Sequence, residues 1–90
     1  MSYTVRWSRR ALDALAEIWL ANPGQRAEIN QAAASIDRLL RVNPEEQGES
    51  RDNDRRILFM PPLVVIFRVD DANRTVRILR IRRLRRRGTS

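Results

Sequence analysis

RILFMPPLVVIFRVDDANRTVRILRIRR, residues 56–83, is the stretch whose reading decides the fold. Arg55–Met60 and Leu63–Val69 are rich in β-branched and aromatic residues, which suit a pleated, half-buried surface. Pro61-Pro62 stands between them. Neither proline can donate a ladder hydrogen bond, so both belong in a turn. Asp70-Asp71-Ala72-Asn73-Arg74 reads as a second turn and Thr75–Ile81 as the last strand. Three strands joined by two short turns form an antiparallel meander. In the last of them Ile78-Leu79 breaks strict alternation, which leaves two readings: a bulge, or a central strand apolar on both faces.

Upstream the period changes. Tyr3, Val5 and Trp7 alternate with Thr4 and Arg6, the pattern of a short strand with one buried face. Ser8 is a good N-cap for a helix over Arg9–Ala21, where Leu12, Leu15 and Trp19 recur at helical spacing and Ala11 and Ile18 widen the stripe. Asn22-Pro23-Gly24 ends that helix. A second helix is predicted from Gln25 to Val42, with Ile29, Ala33, Ile36 and Leu40 on one face and Ala32 and Leu39 beside them. Asn43-Pro44 stops it, and the short connection predicts an antiparallel helical hairpin. Glu45–Asp54 is a polar loop holding five of the eleven acids, suited to move or to fold back near the basic end.

The resulting order, β-α-α-β-β-β, is an α+β fold. An antiparallel sheet takes up the first strand at one edge, and the helical hairpin packs on one face because its apolar stripe has nowhere else to go. The other sheet face is left for function. Ninety residues suit a single domain, 1–90, with 82–90 as a basic tail.

Composition excludes much. No cysteine and no histidine is present, so disulfides and thiolate or imidazole metal sites are ruled out, and neither metal nor cofactor is expected. There is no nucleophile elbow, Gly-rich phosphate loop or acid/base pair. MSYTVRWSRR lacks the apolar h-region of a signal peptide. The longest apolar run, Leu63–Phe67, is far short of the about 20 residues that cross a bilayer. A cytoplasmic protein without membrane contact is the expectation.

Charge is informative by its placement. Residues 1–56 carry nine Arg and nine Asp or Glu, whereas residues 57–90 carry nine Arg and two Asp, so the whole net charge of +7 lies in the last third. Every basic residue is Arg, whose planar fork suits bidentate contacts to phosphate or carboxylate. Arg80, Arg82, Arg83, Arg85, Arg86 and Arg87 put six arginines in eight residues, and the interleaved Ile81 and Leu84 suggest that the run begins as strand. Arg68 and Arg77 are placed to face each other across the last hairpin on the open sheet face. Like charges directly opposite are destabilising, so such a surface is held ready for an anion. Trp7, Trp19 and Phe67 read as core, and Phe59 as the aromatic that can lie outside it.

This element order, with the text of residues 56–83, resembles the RelE/ParE family of bacterial toxins from type II toxin–antitoxin systems. Val65-Ile66-Phe67-Arg68-Val69-Asp70 and Val76-Arg77-Ile78-Leu79-Arg80-Ile81 occupy stretches that the family writes like YRVFYRVDGDRVVILRVLHGRR, and Ser8-Arg9-Arg10-Ala11-Leu12 is similar to its SxxAxxDL opening of the first helix. The resemblance covers nearly the whole chain. It implies a toxin silenced by a cognate antitoxin, whose extended or helical segment covers the basic face, in a hetero-oligomer built from a toxin monomer or dimer. It implies one of two activities: ribosome-dependent mRNA cleavage without metal or cofactor, or poisoning of DNA gyrase.

Carried over residue by residue, the nuclease pattern is incomplete. Its arginine near the start of the third strand falls at Val64. Its second-strand cation matches Arg55 or Arg56, and its basic cluster after the last strand matches Arg82, Arg83 and Arg85. Its terminal Tyr or His has no counterpart, because the sole tyrosine is Tyr3 and there is no histidine. Arginine, with a pKa above about 12, is a poor general base at neutral pH. Arg55, Arg83 and Arg85 are the candidates for catalysis, and Arg55, Arg56, Arg68, Arg77, Arg80, Arg82, Arg83 and Arg85 for binding a partner or nucleic acid. If the chain is an enzyme, it is expected to be a metal-independent endoribonuclease. The alternatives to a gyrase- or translation-directed toxin are that nuclease and a non-toxic RNA- or DNA-binding module of the same fold.

Overall fold

The computed structural model describes residues 2–51 and 54–84. Among them five strands form one sheet in the order β1-β5-β4-β3-β2: β1 Thr4–Trp7, β2 Glu49–Ser50, β3 Arg55–Met60, β4 Leu63–Asp70 and β5 Thr75–Arg83. Helices α1 (Arg9–Ala21) and α2 (Arg26–Val42) come between β1 and β2, joined by a 3₁₀ turn at Pro23–Gln25. The α+β order and the meander β3-β4-β5 are those the turn signals predict.

Two details depart from a plain antiparallel sheet. β1 sits at the expected edge but runs parallel to β5, Thr4 opposite Thr75 and Trp7 opposite Ile78. No tight turn links β1 to the rest of the sheet, and a strand reached through a helical crossover is free to pair in parallel. The acidic loop, in turn, supplies the other edge: Glu49 and Ser50 pair antiparallel with Ile57 and Arg56. Gly48 permits this with φ 71°, where a Cβ would collide with the Ile57 carbonyl. Arg56 fastens the loop, its Nε donating to the Gln47 carbonyl at 2.9 Å and its other nitrogens to Ser50 Oγ at 2.9 Å and the Gly48 carbonyl at 3.2 Å. The loop therefore folds back on a basic side chain, but on Arg56.

The Ile78-Leu79 doublet is a bulge. Ile66 pairs with Arg80 and Phe67 with Ile78, leaving Leu79 as the extra residue. The offset restores phase, so that Val76, Ile78 and Ile81 all face the helices and are buried. Ser8 ties α1 to this point: its hydroxyl accepts from the Ala11 N–H at 3.0 Å and donates to the Leu79 carbonyl at 3.1 Å.

The core lies between that sheet face and the helices. Leu63, Val65, Phe67, Val76 and Ile78 meet Ala11, Ile29, Ile36 and Leu40. Spacing alone puts Leu12 in the stripe of α1, yet Leu12 is 50% exposed and Ala11 fully buried. The Ser8 anchor explains the rotation: it sets the first turn over β5 so that the small Ala11 makes the closest approach, and the next residue turns about 100° toward solvent. In α2, likewise, Ala32 rather than Ala33 is the buried alanine. The helices are joined at their near ends by Arg26, whose Nε donates to the Trp19 carbonyl at 3.0 Å and whose guanidinium stacks 4.0 Å from the Trp19 ring centroid.

Candidate interaction surface

The strand registers define what stands on the sheet face away from the helices. Side chains alternate along a strand, so residues in register with one another share a face. Arg6 on β1 lies opposite Arg77 on β5, Arg77 opposite Arg68 on β4, and Arg68 opposite Arg55 on β3. Four exposed arginines thus form one row across four strands. With strands about 4.8 Å apart the row is about 14 Å long. The next row is Ile57, Ile66 and Arg80, and the one beyond it Phe59, Val64 and Arg82. Ile57, Ile66, Val64 and Phe59 therefore make an apolar square, bordered on one side by the arginine row and on another by Arg80 and Arg82. Phe59 is 52% exposed, a large apolar ring facing water.

The predicted cations divide between the two faces. Arg55, Arg68, Arg77, Arg80 and Arg82 share the outward face, and Arg68 faces Arg77 as expected. Arg56 and Arg83 do not join them. Arg56 is in register with Phe67, on the helix side, and its guanidinium is committed to the β2 loop. Arg83 is opposite Leu63 on the helix side, and its Nη1 donates to Gln25 Oε1 at 3.4 Å. Arg82 and Arg83 are neighbours in sequence and separate in space because strand side chains alternate. Arg85 lies outside the described residues. Of the aromatics, Phe67 is buried, Trp7 and Trp19 are partly buried against the core, and Phe59 stands outside, as their pattern implies.

Sequence reasoning did not place Arg6 in this set. Its alternation with Val5 and Trp7 put it on the far side of β1, but only the parallel pairing with β5 sets it beside Arg77. The apolar square was missed too, since it exists only when β3 and β4 are in register.

Two acids sit at the margins, Glu49 opposite Ile57 and Asp70 opposite Thr75. Asp70 accepts from the Asn73 side chain at 2.8 Å and backbone N–H at 3.2 Å, and these bonds hold its carboxyl below the usual value. Tyr3, the sole tyrosine, donates from its hydroxyl to Asp71 Oδ1 at 2.6 Å, and that bond followed by burial pushes its pKa up. Its ring is buried on the core side, with the Arg74 guanidinium 5.2 Å from its centroid. The described outward face thus offers cations and apolar surface, with acids only at its margins. Among the described residues no three of His, Cys, Asp and Glu gather where a metal could be held, and no helix is long and apolar enough to cross a membrane.

Comparison with known proteins agrees with this architecture. The family described as ParE toxin of type II toxin-antitoxin system, parDE, matches residues 5–88. The chain superposes on a chain of the chromosomal ParDE toxin–antitoxin system from P. aeruginosa with a TM-score of 0.72 at 24% identity, covering 92% of this chain and 97% of that one. It superposes on a chain of the RelBE2 toxin–antitoxin complex from Mycobacterium tuberculosis with 0.71 at 24% identity, covering 92% of each. For the archaeal RelE–RelB complex from Pyrococcus horikoshii OT3 the TM-score is 0.65 at 17% identity, over 98% of this chain and 100% of that one. No curated protein sequence matches the chain.

Proposed function

Because the chain belongs to the ParE toxin family of type II toxin–antitoxin systems, we propose that it is neutralised by a cognate antitoxin and arrests growth by binding a protein target, DNA gyrase, rather than by cutting mRNA. The observation that carries this reading is the outward sheet face, an apolar square flanked by six arginines. A surface of that make-up suits a protein with apolar and acidic side chains, because fixed cations gain most from desolvated carboxylates and the square gains from burial. A phosphodiester cleavage site needs, beyond cations, a group to take the 2′-hydroxyl proton and one to protonate the leaving oxygen. The family's nuclease arginine falls at Val64, which stands within the apolar square. Tyr3 is remote and bound to Asp71, and its raised pKa makes it a poorer acid.

Induced expression in bacteria, with and without the neighbouring reading frame, tests the toxin. Growth arrest relieved by that frame is expected. Supercoiling by purified gyrase is then expected to fall on addition of the protein, and replacing Arg77 and Arg80 by Glu to abolish the effect. Discrete mRNA cleavages by primer extension after induction, with gyrase unaffected, would replace this reading by the nuclease.

A further inference from the structure

Arg6, Arg77, Arg68 and Arg55 stand exposed and in register on four adjacent strands. One charge on β1 is enough to guard that edge against pairing with another strand. Edge protection does not account for three more behind it, each set opposite a like charge at a cost to stability. Among the described residues, Arg6, Arg55 and Arg77 form no ion pair.

The row and the apolar square gain from different partners. Arg6 lies on β1, two strands away from β4 and its part of the square. An exposed guanidinium gains little from a carboxylate, because both groups stay hydrated and salt screens them. A phosphate polyanion is different. Its condensed counterions are released on binding, and that gain does not require the cations to be buried.

Spacing and surroundings point the same way. The row is about 14 Å long, and each strand of duplex DNA carries one phosphate per about 3.4 Å of axis, hence about four over that length. Thr4 and Thr75 are in register two residues from Arg6 and Arg77, so they share the outward face, and Thr4 is exposed. Hydroxyls are frequent phosphate donors. At the other end Asp70 follows Arg68 at the same spacing, with its carboxyl bonded to Asn73. The Arg6–Arg77 end is therefore the more open to an anion. Proteins that hold single strands interleave cations with aromatic rings on which bases stack. Ile57 and Ile66 are the next row here, and the Phe59 ring is four residues along β3 from Arg55, about 13 Å away.

We propose that Arg6, Arg77, Arg68 and Arg55 form a track for the phosphates of one strand of duplex DNA, with Thr4 as a further donor at the β1 end. The contacts are to the backbone alone, so binding is indifferent to base sequence. The inference goes beyond the toxin–target reading and does not depend on it. Where the target is gyrase, the square meets the enzyme and the row meets the DNA that the enzyme holds.

The test uses the purified full chain and a fluorescently labelled DNA duplex of arbitrary sequence, titrated by anisotropy from about 50 to 200 mM NaCl. Arg6→Gln and Arg77→Gln are each expected to lower the log–log salt slope by about 0.9 and to weaken binding about eightfold near 0.1 M salt. Arg6→Lys keeps the charge and is expected to keep the slope. Arg9→Gln removes an equal charge from an exposed position on α1, behind the sheet, and is expected to leave the slope unchanged. That control separates the row from net charge, including the charge of Arg85, Arg86 and Arg87. Far-UV circular dichroism and the thermal midpoint show that each variant is folded. Equal slopes for the wild type, Arg6→Gln and Arg77→Gln, or an equal drop at Arg9→Gln, would put the DNA elsewhere on the chain and overturn the inference. So would tighter binding of a single strand or an RNA duplex, or displacement of the DNA by polyglutamate at equal charge. The expected slopes together with unaffected supercoiling by gyrase would support the track and sink the gyrase reading alone.

Discussion

Along β4, Leu63, Val65 and Phe67 point into the helices and are buried, while Val64, Ile66 and Arg68 point away from them. Along β5, Val76, Ile78 and Ile81 do the same against Arg77, Arg80 and Arg82. The same strands thus build one face whose every contact is satisfied within the chain and one whose arginines oppose one another. The first face holds the fold together; the second sets like charges opposite one another, at some cost to stability. The comparison predicts that substitutions of similar size differ in effect according to face alone.

The largest effect is expected at Phe67, which is fully buried between sheet and helices. Phe67→Ala should cost about 3–5 kcal/mol in urea unfolding, from lost transfer energy plus the cavity left behind. Phe59→Ala, the same change on the outward face, should cost less than about 1 kcal/mol, since a half-exposed ring leaves no cavity. Equal losses at the two positions would break the distinction between the faces.

Ser8→Ala comes next. It removes the N-cap of α1 and the bond to the bulge carbonyl of Leu79 together, and about 1–2 kcal/mol is expected from the thermal midpoint and urea titration. Arg77→Glu sharpens the comparison from the other side. It puts a carboxylate between Arg6 and Arg68, so stability should rise by about 0.2–1 kcal/mol while partner binding falls. A loss of stability there would mean that the row is part of the fold's own support.

How much of this was legible in the sequence follows from the range of the forces involved. Pro61-Pro62, Ser8 and the β-branched runs act over a few residues, and they placed the β3-β4-β5 meander and both helices. The Ile78-Leu79 doublet announced an irregularity, because alternation is a local rule. Register between distant segments is not local. Nothing in Tyr3–Trp7 says that it pairs parallel with β5, so Arg6 could not be assigned to the row. The β2 strand was hidden in a polar loop, since its pairing depends on Gly48 passing over the Ile57 carbonyl and on Arg56 reaching back to Gln47, Gly48 and Ser50. For the same reason Arg56 and Arg83 looked like members of the cationic face: composition gives the number of charges, and only phase gives the side of the sheet.

The smallest expected effect concerns the corner where the outward face meets the β4–β5 turn. Asp70 is held below its ordinary value of 3.8 first by the Asn73 side chain and then by the Asn73 backbone N–H. A depressed carboxyl stabilises the fold when ionised. Its contribution is therefore complete above the unfolded value and is lost as pH falls through the lower folded one. Asp70→Ala removes both bonds to Asn73, so the variant should be slightly less stable than the wild type at neutral pH, and the gap should close below about pH 4. Urea midpoints of the two chains from pH 7 to pH 2.5 measure it. A gap that stays constant over that range would show that Asp70 acts through turn packing rather than through its charge, and the corner would then belong with the buried face rather than the outward one.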